Sequence, residues 1–311
     1  MQMITPSEIE RAAARIRPYI RATPVIELEP GAFGLDCRLA LKLESLQVSG
    51  AFKARGAFNF ILSHEVPAAG VIAASGGNHG VAVAHAAKTL GYRAEIFVPE
   101  VVSPVKRERL LALGANVHVT GANYGEALAA SRARASETGA LAVHAYDQEA
   151  VIAGQGTIGC ELAAQLGSID MLLVAVGGGG LISGVASWFQ GAVRIVGVEP
   201  VLCPTLHDAL AAGHPVDVPT GGIAADSLGA TRLGELAFPI CQRFVSQSLL
   251  VEDSAIDAAR KALWDSLRLV TEPGGATAMA ALLSGIYRPR PGERVCVIIC
   301  GANTDLHAFP A

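Results

Sequence analysis

The sequence predicts an α/β protein with two lobes, each an open, mostly parallel sheet covered by helices. Three observations predict it. Apolar runs of strand length, such as Val71–Ala74, Ala94–Val98 and Met171–Val176, alternate with stretches of helical spacing. Hydrophobic residues make up 51% of the chain and charged residues 17%, as expected of strands covered on both faces. Glycine-rich segments stand at strand-to-helix junctions, the places where such folds bind ligands.

Residues 39–43 (Leu-Ala-Leu-Lys-Leu) read as a buried strand. A short loop with Ser49 and Gly50 leads to a helix from Phe52, spaced by Ala54, Ala57, Phe58 and Ile61. The strand Val71–Ala74 precedes a helix over Asn78–Leu90, and Ala94–Val98 precedes one over Pro104–Leu113. Asn116–Thr120, Tyr124–Thr138 and Leu141–His144 complete a parallel unit of about four strands. A second set follows: helix Gly154–Leu166, strand Met171–Val176, helix Leu181–Gln190 and strand Arg194–Val198. Residues 200–238 read as loop and short helix. Helices over Ser254–Leu267 and Ala276–Ser284 precede a last strand, Arg294–Ile299.

Composition narrows the partners. The formal net charge is −4, with no basic cluster to bind a nucleic-acid backbone. The longest apolar runs are far too short to cross a bilayer. The first residues show no signal-peptide pattern. Six cysteines are scattered without CxxC spacing, which argues against a disulfide framework or a zinc site and favours the cytoplasm.

Three segments carry chemistry. Ser49-Gly50-Ala51-Phe52-Lys53-Ala54-Arg55-Gly56 puts Lys53 in the first turn of a helix, where the dipole favours the neutral amine. A neutral amine can attack a carbonyl; taken alone, the motif is more ordinarily a solvated lysine at a helix start. Gly177-Gly178-Gly179-Gly180-Leu181 joins a strand to a helix, so that backbone N–H groups can converge on an anion. One or two glycines would make a turn, and four point to close approach of a phosphate. The Walker lysine and hydroxyl are absent, which disfavours a nucleotide triphosphate. Ser75-Gly76-Gly77-Asn78-His79-Gly80 offers N–H groups, a hydroxyl and an amide for a small carboxylate or a cofactor oxygen. A helix N-cap is the ordinary use of such residues, and His79 alone is more often packed than catalytic.

Together with Val151–Thr157 (V-I-A-G-Q-G-T), Glu272–Ala276 (E-P-G-G-A) and Cys300–Asn303 (C-G-A-N), these segments in this order resemble the fold type II pyridoxal-phosphate enzymes. The nearest resemblance is to the serine/threonine dehydratases and serine racemase. It implies a tryptophan synthase β-like fold. Residues 1–65 and 148–311 would form a large cofactor-binding domain and 66–147 a small one. Pyridoxal 5'-phosphate would lie in the cleft, held covalently by Lys53, with Phe52 against its ring. Gly177, Gly178, Gly179 and Gly180 would hold its phosphate, Asn78 its 3-oxygen, and Cys300 would face the pyridine nitrogen. Ser75, Gly76, Asn78 and His79 would bind the substrate carboxylate. Tyr146 and Asp226 are candidates for substrate selection, each with an ordinary loop role as the alternative.

The resemblance implies elimination of water from a β-hydroxy amino acid such as L-threonine or L-serine, with Lys53 as base at Cα. The products are a 2-keto acid and ammonia. The alternatives are a dehydratase for another 3-substituted serine, a serine racemase, a β-replacement enzyme of cysteine-synthase type, and a catalytically silent binding homologue. Three departures refine the expectation. Gly76 stands where serine racemase carries its second base, so weak or no racemisation is expected. Thr205 stands where metal-dependent relatives carry an aspartate beyond Glu199, so no dedicated metal site is expected. His144-Ala145-Tyr146-Asp147 and the loop 221–229 depart from the usual pattern beside the substrate. No C-terminal regulatory domain is expected, and a homodimer is the assembly the family suggests.

Overall fold

The computed structural model describes residues 3–305 and 309. The chain begins with α1 (Pro6–Ile16), β1 (Val25–Leu28), β2 (Arg38–Leu43) and α2 (Lys53–Leu62). Then follow β3 (Val71–Ala74), α3 (Asn78–Leu90), β4 (Ala94–Val98), α4 (Pro104–Ala112), β5 (Asn116–Val119), α5 (Tyr124–Thr138) and β6 (Leu141–Ala142). The next set is α6 (Glu149–Leu166), β7 (Met171–Ala175), α7 (Gly180–Phe189), β8 (Arg194–Pro200), α8 (Thr205–Ala212) and α9 (Ala225–Leu228). The chain closes with α10 (Ala237–Phe244), β9 (Val245–Val251), α11 (Asp253–Leu267), α12 (Pro273–Leu283) and β10 (Arg294–Ile299).

Two sheets form. The larger has the order β1-β2-β10-β7-β8-β9, and the smaller β5-β4-β3-β6. Every pairing is parallel except β1 against β2. Strands β7 and β10 are buried over most or all of their length and read Met-Leu-Leu-Val-Ala and Arg-Val-Cys-Val-Ile-Ile, as covering by helices on both faces requires. The alternation of strand and helix gave the smaller sheet to within two residues at each boundary.

Helix α1, strand β1 and strand β9 have no counterpart in the sequence expectation. Helix α1 is set by a capping box, with Thr5 and Glu8 satisfying each other's backbone N–H groups and Pro6 in the first turn. It buries only Ile9, Ala12 and Ile16. Helix α6 starts at Glu149, ahead of the expected Gly154, because its glycines serve contact and do not end the helix. A Cβ on Gly154 would stand 2.6 Å from the Arg55 carbonyl oxygen of α2. A Cβ on Gly184 of α7 would stand 2.5 Å from the Ile152 carbonyl oxygen of α6. Helix α6 therefore touches both α2 and α7 backbone to backbone. Among the described residues no helix is long and apolar enough to cross a membrane.

Candidate active site

The carboxyl ends of β3 and β7 open on a cavity of about 390 Å³. Lys53 is the first residue of α2 and reaches into this cavity. Its Nζ donates to the Ala145 carbonyl at 2.7 Å and lies 5.2 Å from the centre of the Phe52 ring. Burial pulls its pKa down to about 8, against the opposing pull of Cys300 and Glu272. The amine is therefore neutral far more often than an exposed lysine.

The glycine loop approaches from the larger sheet. Gly179 holds φ of 89°, a left-handed conformation that suits glycine, and Gly180 begins α7. The N–H groups of Gly177, Gly178 and Gly179 make no hydrogen bond among the described residues. Unpaired donors at the positive end of a helix form an anion site. The glycines have a second cause as well. A Cβ on Gly178 would stand 2.3 Å from the Tyr146 ring, and one on Gly177 2.9 Å from the Leu228 carbonyl oxygen.

The loop is tied from beneath. Thr205 Oγ1 donates to the Gly177 carbonyl at 2.5 Å and lies 3.1 Å from Glu199 Oε1. The buried Glu199 carboxyl also accepts from the N–H groups of Leu206 and His207 and from the Ser248 hydroxyl, at 2.7, 2.8 and 2.5 Å. Burial raises its pKa, which these bonds partly offset. Among the described residues no group of three or more His, Cys, Asp or Glu side chains could hold a metal ion.

Asn78 opens α3 and lines the cavity. Its Nδ2 donates to Glu272 Oε1 at 2.6 Å, and its Oδ1 accepts from Asn303 at 2.6 Å. These bonds fix the amide orientation and leave one N–H for the cavity. Burial pushes Glu272 up to about 8, with the Asn78 bond pulling the other way. His79 is driven down to about 3 by burial and is neutral, bonded through Nε2 to the Val143 carbonyl at 2.9 Å. Ser75 Oγ accepts from the Gly77 N–H at 3.2 Å. The Cys300 thiol, pushed up by burial, donates to the Gly274 carbonyl at 3.3 Å.

Of the residues singled out by sequence, Lys53, Ser75, Gly76, Asn78, His79, Tyr146, Gly178 and Asp226 line this one cavity. Phe52, Gly177, Gly179, Gly180 and Cys300 are not among its lining residues. Across the mouth, Lys106 of α4 pairs with Asp226 of α9. Lys106 and the apolar rim at Val101 and Val102 escaped the sequence reading, as no motif marks them.

A buried ionic cluster beneath Lys53 also escaped it. Arg55 is fully buried and grips Glu44 through Nε and Nη2 at 2.8 and 2.7 Å. It grips Glu161 through Nη1 and Nη2 at 2.8 and 2.9 Å. Lys42 joins Glu161 at 2.6 Å, so two cations meet two carboxylates. The arginine of the Lys53 motif is the only signal that could have announced the cluster.

A buried amine of lowered pKa close to a loop of uncommitted N–H groups suits a cofactor that carries both a carbonyl and a phosphate. The chain belongs to the pyridoxal-phosphate dependent enzymes, whose family model matches residues 16–301. It is 40% identical over 309 residues to L-threonine ammonia-lyase of Geobacter sulfurreducens, covering 98% of this chain and 77% of that one. It is 36% identical over 308 residues to phenylserine dehydratase of Ralstonia pickettii, covering 97% and 94%. The solved structure of maize serine racemase matches with a TM-score of 0.93 at 34% identity, covering 98% and 95%. The cofactor is pyridoxal phosphate.

Proposed function

We propose that this enzyme is an ammonia-lyase that eliminates water from a β-hydroxy amino acid, releasing a 2-keto acid and ammonia. The observation that carries the proposal is Lys53, a buried amine with its pKa near 8, on the same cavity as Gly178 and the Ser75–His79 turn. When bound, pyridoxal phosphate supplies the electron sink that makes the substrate Cα–H acidic. Lys53 would hold its carbonyl carbon, the N–H groups of Gly177, Gly178 and Gly179 its phosphate, and the free Asn78 N–H a ring oxygen.

The rest is the work of the protein's own groups. Substrate carboxylate is received by Ser75 and the N–H groups at the start of α3, where the helix dipole favours negative charge. Neutral His79 adds no competing charge there. The Lys53 amine would take the Cα proton as the β-hydroxyl leaves, and its depressed pKa suits a base working near neutral pH. The protonated Cys300 thiol is a neutral neighbour for a pyridine nitrogen and does not force it to carry a proton. Gly76 brings no side chain to the cavity and so supplies no second base of its own, which favours elimination over racemisation.

The test is Lys53→Ala. Ammonia release from hydroxy amino acids should fall by about 10²–10⁴-fold. Borohydride should fix the cofactor to the wild-type peptide bearing Lys53 and to no peptide of the variant. A fully active variant would overturn the proposal.

A further inference from the structure

A second cavity of about 210 Å³ lies behind the first, between the smaller sheet and α5. The two share Ala74, Tyr124 and Ala145 as a common wall. The position of that wall matters. Lys53 Nζ is 2.7 Å from the Ala145 carbonyl oxygen, and a base must come within about 3 Å of the proton it removes. Substrate Cα therefore sits close to Ala145, and a substituent on Cβ can turn toward the wall. Two of the three wall residues are alanines, which make the wall thin there.

The second cavity is lined by Ile72, Leu128 and Val143, with Tyr124 at its entrance. Several of its polar groups are committed, while the Tyr124 hydroxyl and His144 Nε2 make no hydrogen bond among the described residues. Ser131 Oγ donates to the Leu128 carbonyl at 2.8 Å, and His144 Nδ1 accepts from the Asp147 N–H at 2.9 Å. Gln148 bonds the His144 N–H and the Ala142 carbonyl. Arg132 alone stands at the rim, exposed and with no ion-pair partner among the described residues. The volume is several times the ~30 Å³ of one water, more than the methyl of threonine can fill. A guanidinium at the rim can close over the face of an aromatic ring.

We propose that this side cavity receives the Cβ substituent, and that the preferred substrate carries an aryl or similarly large apolar group there, of the 3-phenylserine type. The inference rests on the elimination reading above and names the substrate of that site.

The experiment measures kcat/KM for L-serine, L-threonine, L-3-phenylserine and 3-hydroxyaspartate with the cofactor-loaded enzyme, scored by ammonia release. Phenylserine should lead threonine by about 100-fold or more, given the 10–200-fold that one methylene is worth in an apolar pocket. Leu128→Trp fills the cavity from its far side and should cut phenylserine at least tenfold while moving threonine by less than threefold. Leu128→Ala enlarges the cavity and should keep phenylserine active, which separates blocking from misfolding. A lead for threonine or serine would overturn the inference and leave the elimination reading standing. So would an equal loss on both substrates in Leu128→Trp. A lead for 3-hydroxyaspartate would show that Arg132 selects a carboxylate, and would overturn it too. Ammonia from none of the four would overturn both readings.

Discussion

Replacing Arg55 by methionine removes a guanidinium that satisfies two carboxylates at once. The cluster holds two cations, Arg55 and Lys42, against Glu44 and Glu161. In the variant Glu161 keeps Lys42, but Glu44 keeps only the Thr23 hydroxyl, at 2.5 Å, and is fully buried. Breaking a buried pair on one side costs about 3–5 kcal/mol, because a charge is left without compensation. For a chain of this size that corresponds to a fall in Tm of roughly 5–15 °C, read by circular dichroism. Glu44→Gln in the variant background should recover part of the deficit, because it removes the uncompensated charge. A Tm within about 2 °C of wild type, or no recovery in the double variant, would refute the reasoning.

Two further outcomes follow from the site. Thr205→Val removes a buried hydroxyl from beneath the glycine loop, at a cost of about 1–3 kcal/mol. Spectral titration should show pyridoxal phosphate bound roughly 5–100-fold more weakly, with Thr205→Ser near wild type; equal affinity for the valine variant would mean that the loop does not depend on Thr205. Covalent uptake of pyridoxal phosphate by apoprotein needs the neutral Lys53 amine, whose pKa is lowered to about 8. The uptake rate should rise with pH, flatten above about 8, and fall about tenfold per unit well below it. A midpoint near that of free lysine would count against the buried amine.

Legibility in the sequence followed residue type. The smaller sheet was readable because each strand is a short apolar run between turns. Strand β9 was not: Val-Ser-Gln-Ser-Leu-Leu-Val is half polar, as an edge strand can be. Helix α1 hides three apolar residues among charges. Within the site, a lysine at a helix start and four glycines are unusual enough to stand out. The partners of Arg55 come from positions 44 and 161, and no local pattern joins them. Nothing in the sequence gives Lys42 or Glu44 a partner, yet both are fully buried. Glu272 lay inside a recognised motif without a role, and only the contact with Asn78 assigns it one. The side cavity is formed by residues of β3, α5 and the loop after β6, a juxtaposition that only the fold creates.

The glycine contacts of α6 have a mechanical meaning. In the proposed function one end of the cofactor is held from the start of α2 and the other from the start of α7, and α6 approaches both helices through bare backbone. No side chain stands between Gly154 and the Arg55 carbonyl or between Gly184 and the Ile152 carbonyl, so these two approaches cannot yield by turning one. The gap between the two grips is gauged by a single strut, as a micrometer frame sets the distance between its jaws. Ala74 of β3, Tyr124 of α5 and Ala145 after β6 belong to the unit of the other sheet and stand outside that frame. If they judge the substrate, as proposed, they can be exchanged while the span that holds the cofactor stays the same length.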